Sequence, residues 1–405
     1  MSTTFTSQTS CKICSHKNWK IIDTLISGIW DKSNTELVRK TLSFPIGQCQ
    51  HCHHVQVTIP YTPKVFNALY FSNNLEPDMW CDTPVGNKSP YEEMADFIAD
   101  YITKGIHIVD FGAGAGKTLK HIELEYSNHS LKLSSVDFHN HIHSSTIDHV
   151  GADLNQLDTI KKHFSHKPIS LAISTHVLEH IIEPVNFLKN ISSCLTNNGY
   201  IFIEVPDCSQ DAFLDNLAVT NLVHGQHIHY YTKDSMTLLT QKAGLKIVKQ
   251  QQLTTGNIPR LMLLLERSTT TESIVSQTIV NTAMSAIVRR FSKYQQYQSA
   301  LFDAVQQSLK HNKKVGIWGI GGDFYLLTEF YPELIDAIKS DLILLYDYEL
   351  SGHTYKEKNI SSSIELANSN IPIYIIPTYA PTRGRMKEIS QKWGSNVIDI
   401  FEKIK

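Results

Sequence analysis

Four cysteines stand as two Cys-x-x-Cys pairs, Cys11/Cys14 and Cys49/Cys52. Two intervening residues let both thiolates of a knuckle turn toward one ion, and two such knuckles complete a tetrahedral shell of four sulfurs, the chemistry of structural zinc. No coordination position is then left open. The expected role is folding free energy for a small N-terminal lobe with little core of its own, not catalysis. His51, His53 and His54 crowd the second knuckle, but four cysteines suffice. Two disulfides are the competing reading. The first thirty residues lack the charged-then-apolar pattern of a secretory signal, which points to a cytoplasmic, reducing setting and away from disulfides. Cys81, Cys194 and Cys208 have no paired spacing and read as small buried hydrophobes.

A second constellation begins at Ile106-His-Ile-Val-Asp110-Phe-Gly112-Ala-Gly114-Ala-Gly116, an apolar strand entering a glycine-rich turn and then a helix. Glycines permit positive φ and close backbone approach, so a nucleotide-bearing cofactor can lie across the carboxyl end of the strand. The next strand, Leu131–Val136, ends at Asp137, where a carboxylate could accept both hydroxyls of a ribose. Asp153 and Leu154 put an acid beside an apolar side chain, as an adenine's amino edge and flat face require, although Asp153 serves equally well as a helix cap. A third strand, Ile169–Ser174, leads into Thr175-His176-Val-Leu-Glu179-His180. Beyond the strand end Glu204-Val-Pro206-Asp207 comes the histidine-rich run His224-Gly-Gln226-His227-Ile-His229-Tyr230-Tyr231, where active-site elements of such sheets belong.

The elements that must position these groups follow from pattern and composition. At 405 residues the chain exceeds one compact domain, and 41% hydrophobic with 19% charged residues is globular composition. A net charge of −2 gives no basic field for a polyanion, so nucleic acid is not an expected partner. The longest apolar runs, Leu261–Leu265 and Ile371–Ile376, are too short to span a bilayer and read as buried strands, so no membrane association is expected. Residues 269–312 are polar with apolar residues at helical spacing and read as a helical connector. After it, Val315-Gly-Ile-Trp-Gly319-Ile-Gly321-Gly322-Asp323 forms a second strand-to-glycine turn, with a further strand ending at Asp347.

The ordered set around Gly112–Gly116, Asp137, Asp153-Leu154, Leu-Glu-His180, Asn197-Asn-Gly-Tyr and Glu204-Val-Pro206 strongly resembles class I S-adenosylmethionine-dependent methyltransferases over roughly residues 91–266. The resemblance implies a mostly parallel seven-stranded sheet and S-adenosylmethionine held by Asp110, Gly112, Gly114, Gly116, Asp137, Asp153, Leu154 and His176. Nearly the whole chain resembles the three-part, zinc-containing sugar C-methyltransferases that act on nucleotide-linked keto sugars. That likeness implies an α/β protein with a zinc-binding lobe at 1–65, a Rossmann-like methyltransferase domain at 66–268, the connector at 269–312 and a second Rossmann-like domain at 313–405. The last unit either binds part of the substrate nucleotide or buttresses the enzyme. Phe66-Asn-Ala-Leu-Tyr70-Phe-Ser72 resembles the family's substrate-entry segment, and Tyr230 and Tyr231 are further substrate-binding candidates. The family's catalytic base aligns with His227, accompanied by His224, Gln226 and His180. Gln226 stands where the family has glutamate and His224 where it has tyrosine, which keeps two other readings open: O- or N-methylation of a sugar or small metabolite, and a non-catalytic relative that binds cofactor or sugar nucleotide.

Overall fold

The structure, a computed structural model, describes residues 8–66, 69, 88–209, 222–254, 258–268, 282–311, 314–367, 369–395 and 397–403. The N-terminal lobe is a long hairpin, β1 (Trp19–Asp31) against β2 (Val38–Cys49), followed by β3 (Val55–Val57). All three are antiparallel, in a register from Trp19↔Cys49 to Asp31↔Val38, so the hairpin's open end delivers Cys49 beside the first knuckle.

The central sheet contains β4 (His107–Phe111), β5 (Lys132–Asp137), β6 (Ile147–Gly151), β7 (Ile169–Thr175) and β8 (Leu195–Pro206). A two-residue strand, β9 (His229–Tyr230), leaves this domain before β10 (Leu245–Leu253) and β11 (Arg260–Arg267) complete it. The order is β10-β11-β8-β7-β4-β5-β6, with β4 to β8 parallel and the β8–β11 and β11–β10 pairs antiparallel. Strand alternation sorts the core into two layers. Leu261, Leu263 and Leu265 face the helices Leu157–Phe164, Pro184–Cys194 and Lys233–Lys242, while Met262 and Leu264 face Pro90–Ile98 and Lys117–Glu125. The helix at Pro90 starts where the sequence dictates. Ser89 and Glu92 form a reciprocal capping box, and proline occupies the first turn, where a missing N–H costs nothing.

The helix Thr282–Lys310 leads to the third sheet: β12 (Val315–Trp318), β13 (Ile343–Asp347), β14 (Thr354–Tyr355), β15 (Lys358–Ser362), β16 (Ile373–Ile375) and β17 (Val397–Ile398). Its order is β14-β15-β13-β12-β16-β17, parallel except for the β14–β15 hairpin. The strand expected over Ile371–Ile376 is shorter, Ile373–Ile375, between Pro372 and Pro377, neither of which can donate to a ladder. β1 and β2 dock here, the Trp30 indole donating to the Ile320 carbonyl and Arg39 reaching Glu329, Thr328 and Tyr355. Among the described residues no helix is long and apolar enough to cross a membrane.

Leu263 is fully enclosed in β11 of the central sheet. Leu263→Ala is expected to lower unfolding stability by about 2–5 kcal/mol, read from urea unfolding. The same change at the exposed Lys246 should cost less than about 0.5 kcal/mol.

Candidate active site and metal centre

The two cysteine knuckles have the same backbone wiring. Ser15 and His53 donate to the Cys11 and Cys49 carbonyls at 2.8 and 2.9 Å, while the Cys11 and Cys49 amides donate to His16 and His54 at 2.8 and 2.9 Å. Ser15 and His53 both take positive φ, 67° and 59°, which reverses the chain right after the second cysteine of each pair. All four sulfurs converge, with Cys11–Cys52 and Cys14–Cys49 each 3.5 Å apart. Hydrogen bonding from Cys11 draws Cys14 and Cys49 below the usual thiol range, while their thiolate partners drive Cys11 and Cys52 up. Four converging thiols, two of them inclined to ionise, suit a zinc ion, for which bonds of about 2.3 Å imply sulfurs about 3.8 Å apart. His51 stacks on His16, outside the sulfur cluster.

At the carboxyl ends of β4 and β5 the glycine turn is built as a cradle. Gly112 has φ +83°, and a Cβ there would lie 2.2 Å from Val177; Gly116 has φ +68°, and a Cβ there would lie 2.5 Å from Ile142. Gly114 donates to Asp137 at 2.9 Å, so the acid at the end of β5 pins the turn with one oxygen, and its other accepts from Phe138 at 2.7 Å. Each carboxylate oxygen keeps a lone pair for a ribose hydroxyl. Phe138 is an exposed aromatic beside it, and Leu154 packs under Gly112. Asp153 accepts from Asn155 at 2.8 Å and Gln156 at 3.2 Å, holding the turn before the helix Leu157–Phe164, whose N-cap is Gln156, so Asp153 is not the helix cap. Asp110 is buried with one oxygen lacking a partner among the described residues, and burial, aided by the Asp137 charge, pushes its carboxyl up to about 8.

His176 closes the end of β7 with φ 53°, an unusual conformation for a side chain with a Cβ and one that strained functional turns exhibit. Its ring lies between two buried acids, 2.9 Å from Glu204 and 3.4 Å from Glu179. Burial acts to lower its pKa, yet the two carboxylates prevail and raise it. Arg260 pairs with Glu204 at 3.3 Å and with Glu93.

Glu179 is the hub. It is 1% exposed, and neither carboxylate oxygen has a hydrogen-bond partner among the described residues. His180 Nε2 is 3.8 Å and His227 Nε2 3.9 Å from its Oε1. Both rings are fixed from behind, His180 Nδ1 donating to the Gln226 carbonyl at 2.9 Å and His227 Nδ1 to the Leu222 carbonyl at 2.8 Å. A carbonyl only accepts, so these bonds put the proton on Nδ1 and leave Nε2 of each neutral ring as the lone-pair nitrogen. His224 lies against His227 with ring centroids 3.8 Å apart. Burial lowers His224 to about 3 and holds His227 well below the ordinary imidazole range.

The structure thus brings His180, His224 and His227 together with Glu179, the acid inside Leu178-Glu-His180 that the sequence offers either as lining the same cleft as His180 or as helix-start packing. Gln226 turns away, its amide donating to the Leu69 carbonyl at 3.2 Å. Tyr231 lies in the core with its hydroxyl on the Leu178 carbonyl, and Tyr230 is buried with no partner for its hydroxyl among the described residues. His229 is held by His54 and the Ile181 carbonyl. Tyr70 and Ser72 lie outside the described residues.

A parallel sheet flanked by helices, with a glycine cradle and an acid at adjacent strand ends, defines a nucleotide-cofactor enzyme, and residues 88–250 match the family described as methyltransferase domain. The chain accordingly carries a methyltransferase domain. Solved structures that resemble it include an S-adenosylmethionine-dependent methyltransferase from Clostridium acetobutylicum (10% identity, 51% of this chain and 97% of that one, TM-score 0.33). Others are a SAM-dependent methyltransferase from Aquifex aeolicus (12%, 43% and 89%, 0.32) and the mitomycin 7-O-methyltransferase MmcR (14%, 44% and 54%, 0.33). No curated protein matches the chain.

Gly112→Ala should weaken S-adenosylmethionine binding at least about tenfold by calorimetry, because its Cβ collides with Val177 in a backbone region that side chains avoid. Asp110 gives a pH signature. Its folded pKa of about 8 exceeds the ordinary 3.8, so the folded chain retains a proton the unfolded chain releases, and stability from this group falls as pH rises from about 4 to 8. Asp110→Asn removes that slope, and the stability of the variant relative to the parent should rise across this window in thermal unfolding.

Proposed function

We propose that the chain transfers a methyl group from S-adenosylmethionine to a carbon of a nucleotide-linked keto or deoxy sugar, with His227 as general base and His224 assisting. The observation that carries this reading is the His227 ring: Nδ1–H is committed to the Leu222 carbonyl, so the Nε2 lone pair is the one available for a proton, with the Glu179 carboxylate 3.9 Å away. S-adenosylmethionine, when bound, supplies the electrophilic sulfonium methyl.

The residues of the chain supply the rest. His227 Nε2 takes a proton from the carbon beside the ketone and the C–H electron pair becomes the enolate, whose carbon would be the nucleophile toward the sulfonium methyl, the sulfur departing as the neutral thioether. The imidazolium left behind lies beside Glu179, whose buried charge stabilises it as it forms. Gln226 cannot provide that charge, and Glu179 provides it instead. His224, kept neutral by burial, is the candidate donor toward the substrate oxygen.

The domain reading belongs to the same proposal: a zinc lobe at 1–65 held by Cys11, Cys14, Cys49 and Cys52, methyltransferase domain at 66–268, helical connector at 269–312 and a second Rossmann-like unit at 313–405, in a cytoplasmic setting. In that last unit Ile320 N–H bonds Asp347 at 2.7 Å as Gly114 bonds Asp137. Its turn is covered by Trp30, and Asp323 is committed to Tyr294 and Thr378, which favours buttressing over nucleotide binding. O- or N-methylation of a sugar or small metabolite is the second reading, favoured by the engagement of Gln226 with Leu69.

His227→Asn should abolish turnover of keto-sugar nucleotides while S-adenosylmethionine affinity stays within about twofold by calorimetry. Deuterium uptake at the carbon next to the ketone, catalysed by the parent in heavy water, is expected; methylation without it would establish the O- or N-methyl reading. Because His227 is held well below the ordinary imidazole value of 6.5, the acid limb of the kcat profile should lie below pH 6.5.

A further inference from the structure

We infer that Glu179, His180 and His227 form a second metal site, separate from the four cysteines, that takes a zinc-class divalent ion and in doing so silences the base. Their ligating atoms, one carboxylate oxygen and two imidazole nitrogens, all lie within 4.8 Å of one another. Two imidazoles with one carboxylate is a donor set that zinc and its first-row neighbours accept, with coordination positions left over.

Three features distinguish this cluster from an ordinary polar pocket. Both histidines donate Nδ1–H to backbone carbonyls, the outer-shell arrangement that fixes a ligating imidazole and directs Nε2 to a metal. Neither Glu179 oxygen has a hydrogen-bond partner among the described residues, and a buried carboxylate left so, facing two imidazole nitrogens at 3.8 and 3.9 Å, is costly. Finally, charge is short. Glu93, Glu179 and Glu204 are three carboxylates linked through His176 and Arg260, and among the described residues the Arg260 guanidinium pairs with Glu204 and Glu93. A cation among Glu179, His180 and His227 balances the set.

The spacing requires little adjustment. Bonds of about 2.1 Å to zinc in a tetrahedral shell put ligand atoms about 3.4 Å apart, so the Glu179–His180 and Glu179–His227 distances of 3.8 and 3.9 Å would close by roughly 0.4–0.5 Å. An ion so held occupies the His227 Nε2 lone pair. The ion-bound and base-competent states therefore exclude each other, and free zinc becomes an inhibitor competitive with deprotonation.

The test counts ions on the resting chain, without substrate. Native mass spectrometry after zinc equilibration should give two zinc ions per parent chain and one in both Glu179→Gln and His180→Asn, the second-site affinity falling about 100-fold or more. Cobalt should report two environments, one with the intense thiolate charge-transfer band and one without it, and only the latter lost in the variants. One ion in the parent, or a second ion retained in both variants, overturns the site. Only the inhibition rests on His227 being the base. Turnover should fall as the second ion binds and return on mild chelation; full turnover with two ions bound overturns the silencing while leaving the site standing.

Discussion

The active site depends on one short piece of backbone pairing. His229–Tyr230 forms an edge strand on β3, through Val55↔Tyr230 and Gln56↔His229, while the preceding Ile228 donates its N–H to the Glu179 carbonyl at 2.8 Å and accepts from Val57 at 2.8 Å. These bonds clamp His224 to His229 between the N-terminal lobe and the turn after β7. Because β3 starts three residues beyond Cys52, the position of the histidines is coupled to the integrity of the sulfur cluster. The four converging cysteines can thus set the position of these histidines without touching a substrate.

Within that clamp, burial does most of the electrostatic work. Water is excluded from Glu179 and His227, so burial favours the neutral imidazole and the carboxylate's influence is strong. The same exclusion lifts Asp110, while the two acids flanking His176 raise its pKa against the effect of burial. A methyltransferase domain carrying this many buried ionisable groups trades stability for a set of charges that need not reorganise during reaction.

Local signals in the sequence were sufficient for local structure. The alternation of Leu261 to Leu265, the Ser89–Glu92 cap, the glycine turn after Phe111 and the paired cysteine knuckles each involve neighbours within a few residues, and the strands, helix and turns they imply are present. What sequence pattern did not reveal depends on partners far apart in the chain. Glu179 reads as a helix-start acid until His227 is brought beside it, and Gln226 reads as a substitute for a missing carboxylate until its amide is found on Leu69. Tyr231 looks like an accessible polar residue in a histidine-rich run, yet its place under Leu178 is set by the sheet edge and not by its neighbours. The fold class was legible from the strand-to-glycine-turn motifs and the family resemblance they carry; the chemistry at its centre required tertiary geometry.

The docking of β1 and β2 on the third sheet carries a consequence for biosynthesis. Trp30 and Leu37 belong to the same apolar core as Phe324, Leu327 and Tyr355, and the Trp30 to Ile320 hydrogen bond spans 290 residues. During synthesis that face of the N-terminal hairpin has no partner until nearly the whole chain has left the ribosome. An exposed apolar edge held for that long invites wrong pairing. Early closure of the cysteine knuckles, which join the two ends of the hairpin through Cys49 and Cys11, would keep it in register meanwhile, giving a sulfur cluster far from the third sheet the part of a folding chaperone built into the chain.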